Sequence, residues 1–276
     1  MDLYKTNDDA TSCRLSCHKK GYLDDPYVEW FASCDPKSPI INRGTYLRTM
    51  AIDSIVVGFL NKYPQGQILS LGAGYDTRYF RLQLKCVYVE IDVETVVMSK
   101  IGKLRKHAKQ LTLENCIWHP TTLHSTTLQI KSLNILECSD MSTVIDFTKK
   151  TLVLAECLFV YLNPDKVDSL LLQLYNLNAD CVVYDPLELS DGFSEQMIMN
   201  LLKRNITLSG LHNYKTLPDQ IDRFKRVGYT VDASDMSNFK FDSTILDKMK
   251  SIEFLDEYEE WNLFQSHYFV LYAARP

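Results

Sequence analysis

The residues best suited to chemistry are glycines and acids that follow short apolar runs. The run from Ile68 to Leu71 has the composition of a buried strand, and Gly72 and Gly74, which lack a Cβ atom, allow a sharp turn after it. A second apolar run ends at Asp92, 18 residues after Gly74. An acid at the tip of the second strand of such a unit accepts hydrogen bonds from ribose hydroxyls. The spacing therefore predicts a nucleotide-type pocket at the carboxyl ends of parallel strands.

The number of glycines favours one kind of adenosine ligand over another. The turn reads Gly-x-Gly, lacks the third glycine of the dinucleotide fingerprint and is followed by the bulky Arg78. A dinucleotide needs its pyrophosphate set against a helix start, whereas S-adenosylmethionine has no phosphate and needs no such cradle. The pattern therefore favours S-adenosylmethionine and disfavours the alternative, a nicotinamide-dependent oxidoreductase.

Strands and helices alternate along the chain. The hydrophobic pattern predicts strands at 68–71, 86–92, 127–133, 151–156, 179–184, 229–233 and 267–274, and helices at 43–62, 93–107, 194–204, 219–227 and after Asn163. Asp76 and Thr77 are favourable N-cap residues for a helix after the glycine turn. The alternation indicates an α/β fold with a doubly wound, mostly parallel sheet. The last two strands predict an antiparallel edge hairpin, which is typical of class I methyltransferases that use S-adenosylmethionine.

The N-terminal part of the chain has weaker patterns. Residues 1–40 look irregular, and within them residues 21–31 mix aromatic and acidic side chains. This stretch is interpreted either as a short amphipathic helix packed on the core or as a lid over the pocket. We expect a single domain over residues 1–276, with an N-terminal helical lid and substrate region at 1–62 and a Rossmann-like core with substrate-side insertions at 63–276.

Composition excludes several classes of function. The net charge of −5 gives no bulk attraction to nucleic acid. The most apolar stretch, Thr151 to Leu162, is too short to span a membrane and contains Glu156. The N-terminus lacks the apolar core of a secretory signal, so we expect a cytoplasmic protein with reduced cysteines. We also expect a monomer. The spacing of Cys13, Cys17 and His18 fits no common zinc pattern, so no metal site is expected.

Several blocks, taken together, resemble the leucine carboxyl methyltransferase family. They extend from about residue 12 to the end of the chain. They are Gly21-Tyr22 with Asp25-Pro-Tyr27, Ile41-Asn-Arg-Gly44 with Arg48, Leu71-Gly-Ala-Gly74 with Asp76-Thr77 and Arg81-Leu82, Glu90-Ile-Asp92, Leu154-Ala-Glu-Cys-Leu-Phe-Val-Tyr161, and Glu253-Phe-Leu-Asp-Glu257 with His267-Tyr268. Members of this family use S-adenosylmethionine to methylate the C-terminal leucine carboxylate of type 2A protein phosphatase catalytic subunits. The resemblance implies the same activity, cofactor and partner here.

The resemblance also assigns residues to the cofactor site. Gly72 matches the first glycine against the cofactor, and Asp92 matches the ribose-binding acid. Glu156 matches the acid near the cofactor's amino group; as a charge at the end of a buried strand, it also predicts a functional acid without the resemblance. Arg48 matches an arginine facing a carboxylate of the cofactor or the substrate, and Arg14 stands where relatives carry a lysine.

Further positions concern the adenine and the substrate. Ser132-Leu133 stands where the family often has Asp-Leu beside the adenine, with Asn134 as the alternative if the register differs. Tyr161 matches a tyrosine that lines the substrate pocket, and we expect Arg48 and Tyr161 to act directly in catalysis. His267 is interpreted as a structural histidine. The alternatives are a small-molecule O-methyltransferase of the same fold and a catalytically decayed protein that binds a phosphatase, to which only Ser132 points.

Overall fold

A nine-stranded sheet forms the centre of the computed structural model, which describes residues 3–33, 35–211 and 213–276. The strand order is β3-β4-β5-β2-β1-β6-β7-β9-β8. The five strands from β5 to β7 in this order are parallel, and antiparallel pairs flank them on both sides. The strands are β1 (Gln67–Leu71), β2 (Tyr88–Asp92), β3 (Ile117–Trp118), β4 (Thr122–His124), β5 (Leu128–Ser132), β6 (Thr151–Glu156), β7 (Ala179–Pro186), β8 (Thr230–Asp235) and β9 (Tyr268–Ala274).

Helices cover both faces of the sheet. They are α1 (Leu3–Lys19), α2 (Pro39–Lys62), α3 (Arg78–Arg81), α4 (Glu94–Lys106), α5 (Pro164–Asn176), α6 (Gly192–Leu202), α7 (Leu217–Val227), α8 (Ser243–Ile252) and α9 (Tyr258–Ser266). One apolar layer joins α2 and α4 to the sheet residue Ile68, and the other joins α5 and α7 to Leu69. Neighbouring residues of β1 therefore face opposite layers, as the alternation of side chains along a strand requires. The predicted doubly wound α/β fold is confirmed.

Local signals set several element ends. The Asn163 side chain accepts a hydrogen bond from the backbone N–H of Lys166 and caps α5 at its N-terminus. At the end of α7, Gly228 adopts a φ of +115°, a left-handed conformation that glycine takes without steric cost. These caps lie where the sequence predicts them.

The N-terminal region differs from the prediction. Residues 3–19 are helical rather than irregular, and α2 begins at Pro39 rather than at residue 43. Leu15 and Cys17 are buried, and the Ser16 hydroxyl donates to Asn42 Oδ1 of α2 at 2.8 Å. Contacts with α2 therefore stabilise α1, although its own sequence is polar. The 21–31 stretch contains only a short 3-10 helix at Pro26–Trp30.

The sheet edges also differ in detail. β8 and β9 pair antiparallel, as predicted, but α8 and α9 separate them along the chain and β9 lies between β7 and β8. At the opposite edge, β3 and β4 form an antiparallel extension that the sequence pattern did not reveal. Within the described residues, no helix has both the length and the apolar character needed to cross a membrane.

Candidate active site

A cavity of about 350 Å³ lies at the carboxyl ends of the central strands. Its walls come from α1, the first half of α2, the glycine turn after β1, the tip of β2 and the segments that end or follow β6 and β7. Of the predicted site residues, Arg14, Arg48, Gly72, Asp92, Glu156 and Tyr161 line it. The fold thus brings together side chains that are up to 147 positions apart in the sequence.

The glycine turn and Asp92 form one wall of the cavity. Gly72 has a φ of +58°, a left-handed conformation that favours glycine, and a Cβ atom there would also displace the Leu158 side chain, whose Cδ1 would lie 2.7 Å away. Asp92 Oδ2 accepts the Gly74 N–H and Oδ1 accepts the Val93 N–H, both at 2.7 Å. Burial raises the pKa of Asp92, and these two backbone hydrogen bonds oppose the rise. Because an ionised carboxylate has about four acceptor positions, Asp92 retains two for a ligand.

Arg48 and Glu156 form a charged part of the cavity lining. Arg48 Nε donates to Glu156 Oε1 at 2.5 Å, and the guanidinium lies over the Tyr184 ring, 5.1 Å from its centroid. Burial alone would raise the pKa of Glu156, but Arg48 and Arg78 lower it to about 2. Within the described part of the chain, the two Nη groups of Arg48 have no hydrogen-bond partner, so they are available to a carboxylate.

Arg14 pairs with an acid from the glycine turn. Its Nη1 donates to Asp76 Oδ1 at 2.8 Å, and Arg78 Nη1 donates to Asp76 Oδ2 at 2.5 Å. Burial would raise the pKa of Asp76, but Arg78 and Arg14 outweigh it and hold that pKa well below its usual value. Asp76 accepts the Arg78 N–H, as a cap would, but Thr77 does not cap α3. The Thr77 hydroxyl instead donates to Asp25 Oδ2 at 2.5 Å, because Asp25 is buried against this turn.

Aromatic side chains form another part of the cavity lining. Tyr161 ends a 3-10 turn at Phe159–Tyr161, and burial raises the pKa of its hydroxyl. Tyr184 and Tyr268 stack with ring centroids 5.6 Å apart, and Phe264 packs 5.1 Å from Tyr268. This arrangement gives the cavity an apolar wall beside the charged one.

The predicted adenine contacts lie beside the cavity rather than in its lining. Ser132 pairs with Asp92 across β2 and β5, and the Leu133 N–H donates to the Asp92 carbonyl at 2.9 Å. Both residues are half-buried and absent from the lining, whereas Asn134 is exposed and its side chain accepts the Leu136 N–H. The assignment of Ser132 and Leu133 to the cofactor stays a prediction.

Several lining residues were not identified from the sequence. Asn7 and Cys13 come from α1, Cys157 follows Glu156, and Phe264 comes from α9. A Cβ atom on Gly44 would lie 2.6 Å from Phe264 Cε1, so the glycine of the Asn-Arg-Gly block is the one sequence signal for this wall. His267 is fully buried and bonds to Asp191 and the Leu263 carbonyl, as expected of a structural histidine.

The chemistry available here is binding and orientation. Within the described residues, Arg14 and Arg48 present unpaired donors, the lowered pKa of Glu156 keeps that carboxylate ionised at neutral pH, and no histidine lines the cavity. Such a site suits a zwitterionic or carboxylate-bearing ligand together with an adenosine-type group held by Asp92.

Comparisons with known proteins agree with this geometry. Residues 2–175 match the leucine carboxyl methyltransferase family. The chain is 37% identical over 295 residues to leucine carboxyl methyltransferase 1 of Schizosaccharomyces pombe, covering 99% of this chain and 94% of that protein. It is 31% identical over 293 residues to the leucine carboxyl methyltransferase 1 homolog of Arabidopsis thaliana, covering 98% and 88%.

Solved structures add support for the fold. A putative methyltransferase from Thermobifida fusca superimposes with a TM-score of 0.55 at 12% identity, covering 98% of this chain and 93% of that one. At this identity, the likeness concerns the fold alone. The family match and the near full-length relatives confirm the predicted family, and the chain is therefore an enzyme of the leucine carboxyl methyltransferase family.

Proposed function

We propose that this enzyme uses S-adenosylmethionine to methylate the C-terminal leucine carboxylate of type 2A protein phosphatase catalytic subunits. The main observation behind the proposal is that Asp92 and the Arg48–Glu156 ion pair line the same cavity. Asp92 provides acceptors for a ribose, and Arg48 and Glu156 provide opposite charges for an amino-acid group or a peptide terminus. Family membership supports the choice of reaction.

The residues of the cavity fit S-adenosylmethionine. Asp92 would accept the ribose hydroxyls, and Glu156 would face the ammonium of the amino-acid moiety. Arg48 and Arg14 would hold carboxylates through their remaining donors. When bound, S-adenosylmethionine supplies a methyl group on a sulfonium, so that a C–O bond forms as the C–S bond breaks and its electron pair goes to sulfur.

The acceptor needs no general base. A C-terminal carboxyl group has a reference pKa of about 3.3–3.7, so it is ionised at neutral pH. The protein must instead orient the two reactants and replace the water around the carboxylate. Positioning of this kind lowers barriers by roughly 7–11 kcal/mol. We assign the orientation of the acceptor to Arg48 and Tyr161, which line the same cavity.

Arg48 must hold the acceptor without blocking it. A bidentate pair would engage both carboxylate oxygens, and one oxygen must keep a lone pair directed at the methyl group. The Nε atom of Arg48 is already bonded to Glu156, which leaves only the Nη end for ligands. Tyr184, Tyr268 and Phe264 line the cavity and would exclude water from the bound acceptor.

A labelling experiment tests the proposal. The purified protein is incubated with S-adenosylmethionine labelled in its methyl group and a type 2A phosphatase core enzyme, with a matched phosphatase that lacks its C-terminal leucine as the control. Label is expected only on the intact phosphatase, and mild base should release it, as expected for an ester. Label on both phosphatases would contradict the substrate assignment. Absence of label together with absence of cofactor binding in calorimetry would contradict the whole proposal.

A further inference from the structure

We propose that Arg78 is a positioning residue that keeps the donor ends of Arg14 and Arg48 available for carboxylates. This inference rests on the proposed function. Arg78 does not line the cavity, and its side chain is only 3% exposed. It therefore acts through its neighbours rather than by touching a ligand.

Arg78 bonds to three carboxylates at once. Its Nη1 donates to Asp76 at 2.5 Å, its Nη2 to Glu156 Oε2 at 2.9 Å and its Nε to Asp53 Oδ1 at 2.8 Å. Each side of the planar guanidinium thus faces a different acid. Lysine has a single ammonium on a flexible stem and cannot reproduce this fixed fork.

The two cavity acids are shared between Arg78 and a cavity arginine. Glu156 gives Oε1 to Arg48 and Oε2 to Arg78. Asp76 likewise gives Oδ1 to Arg14 and Oδ2 to Arg78. Arg78 therefore links Arg14 to Arg48. The hydrogen bonds run in the order Arg14, Asp76, Arg78, Glu156, Arg48.

This sharing has a consequence for ligand binding. A carboxylate with two free oxygens tends to grip a guanidinium in a bidentate pair. If Arg78 did not hold Glu156 Oε2, that oxygen would be free to take an Nη donor of Arg48, and Asp76 would be free to do the same with Arg14. The donors meant for a ligand would then be occupied by the protein itself.

A neighbouring arginine provides a matched control. The Arg81 side chain is 9% exposed, and its Nη1 and Nη2 bond to Asp53 at 2.6 and 2.9 Å. Among the described residues it bonds to no acid that lines the cavity. Replacement of Arg81 therefore perturbs the same buried cluster without releasing Glu156 or Asp76.

The test compares two ligands that differ in the amino-acid group. Calorimetry measures the Kd of S-adenosylhomocysteine, which carries a carboxylate and an ammonium, and of 5′-methylthioadenosine, which carries neither. In the Arg78→Lys variant, binding of S-adenosylhomocysteine should weaken by on the order of 10- to 100-fold, as expected for the loss of a hydrogen bond to a charged group. Binding of 5′-methylthioadenosine should stay near the wild-type value. Arg81→Lys should change the ratio of the two Kd values little.

Steady-state kinetics complete the test for the acceptor carboxylate. The KM of the Arg78→Lys variant for the phosphatase should rise more than its kcat falls. The inference is overturned if a cooperatively melting Arg78→Lys variant keeps the wild-type ratio of Kd values and the wild-type KM. It is also overturned if both ligands weaken equally, since that result indicates a general structural role.

Two further arms separate possible failures. If Arg78→Lys does not melt cooperatively, the same Kd ratio is measured on Arg78→Met combined with Asp53→Asn, which keeps the net charge of the cluster unchanged. A failure of the proposed function would appear in the wild type, as absence of phosphatase labelling. A failure of this inference would appear with an active wild type, as an equal ratio of the two Kd values in the Arg78 and Arg81 variants.

Discussion

At the scale of single residues, the site depends on which donors of each arginine are already engaged. Among the described residues, Arg48 bonds to Glu156 through Nε alone, and Arg14 bonds to Asp76 through Nη1 alone. Buried ion pairs of this kind add little net stability, because desolvation offsets most of the attraction. Their value here lies in holding the remaining donors in a defined direction.

Replacement of Arg48 should abolish activity without unfolding the protein. Arg48→Ala is expected to reduce methyl transfer by at least on the order of 100-fold, because a carboxylate loses its partner and its orientation. The protein should still melt cooperatively, since Glu156 stays bonded to Arg78. Transfer to the phosphatase and a thermal melt measure both effects. Arg105→Ala, which changes an exposed arginine of α4, is the control. Retained activity in Arg48→Ala would refute the assignment.

Glu156 should make the folding stability of the protein depend on pH. Its pKa is lowered from 4.5 to about 2 in the folded protein, so the unfolded chain binds the proton more tightly. The stabilisation is therefore complete above pH 4.5 and is lost as the pH falls towards 2. Its size is on the order of 3 kcal/mol. In urea unfolding, the free energy of unfolding of the wild type should exceed that of Glu156→Gln at neutral pH. The difference should shrink as the pH falls. A difference independent of pH would contradict this account.

At the scale of elements, α1 covers the glycine turn and reaches across the cavity. Asn7 Oδ1 accepts the Tyr75 N–H at 2.9 Å, and Asp9 pairs with Arg204, which follows α6. Residues 21–31, for which a lid was one interpretation, do not line the cavity, whereas α1 does, so we propose α1 as the lid. Both side chains of the Asp9–Arg204 pair are largely exposed, so the pair contributes at most about 1 kcal/mol.

Reversal of one charge in this pair should speed cofactor release. Asp9→Arg places two cations together, and the dissociation rate of S-adenosylhomocysteine should rise up to about fivefold. The double variant Asp9→Arg with Arg204→Asp should restore the wild-type rate in stopped-flow competition. Lys215→Glu, which disrupts the exposed Lys215–Glu188 pair away from the cavity, serves as the control. Equal rates in all four proteins would argue against α1 as a lid.

At the scale of the whole molecule, the N-terminal helices are bonded to the sheet core through buried polar groups. Asp25 accepts from Thr77, and Asp53 of α2 accepts from Arg78. Residues 1–62 and 63–276 are therefore expected to unfold together, which agrees with the predicted single domain.

Calorimetry tests this expectation. One melting transition is expected, and S-adenosylhomocysteine at about 100 times its Kd should raise stability by about 2.7 kcal/mol, a shift of roughly 5 °C. NAD at the same concentration should leave the melting temperature unchanged, because the turn lacks a pyrophosphate cradle. Two transitions would contradict the single domain, and a shift with NAD would revive the oxidoreductase alternative.

Local pattern was sufficient for much of the fold and part of the site. The strand, glycine turn and acid-tipped strand were predicted from sequence because each signal lies within a few residues: apolar runs, glycines at positive φ, and an acid at a strand end. Caps such as Asn163 and Gly228 follow from the same short-range chemistry. The family resemblance identified Arg14, Arg48, Glu156 and Tyr161, and the structure places all four in the lining of one cavity.

Other features depend on contacts between distant segments. α1 is polar in sequence and is buried by α2, and β9 enters the sheet between β7 and β8. Phe264 packs so closely against Gly44 at the cavity wall that a Cβ atom there would lie 2.6 Å from its ring.

The sequence by itself determined the strand, glycine turn and acid-tipped strand that we propose as the binding unit for an adenosine-type ligand, because these residues are close along the chain and obey local rules. Only the tertiary structure decided how the arginines are used. Arg78 meets Asp53 at a separation of 25 residues and Glu156 at 78, and no local periodicity specifies such pairings. The tertiary fold brings arginines of α2 and α3 to Glu156 at the end of β6, and burial requires that each acid finds a donor.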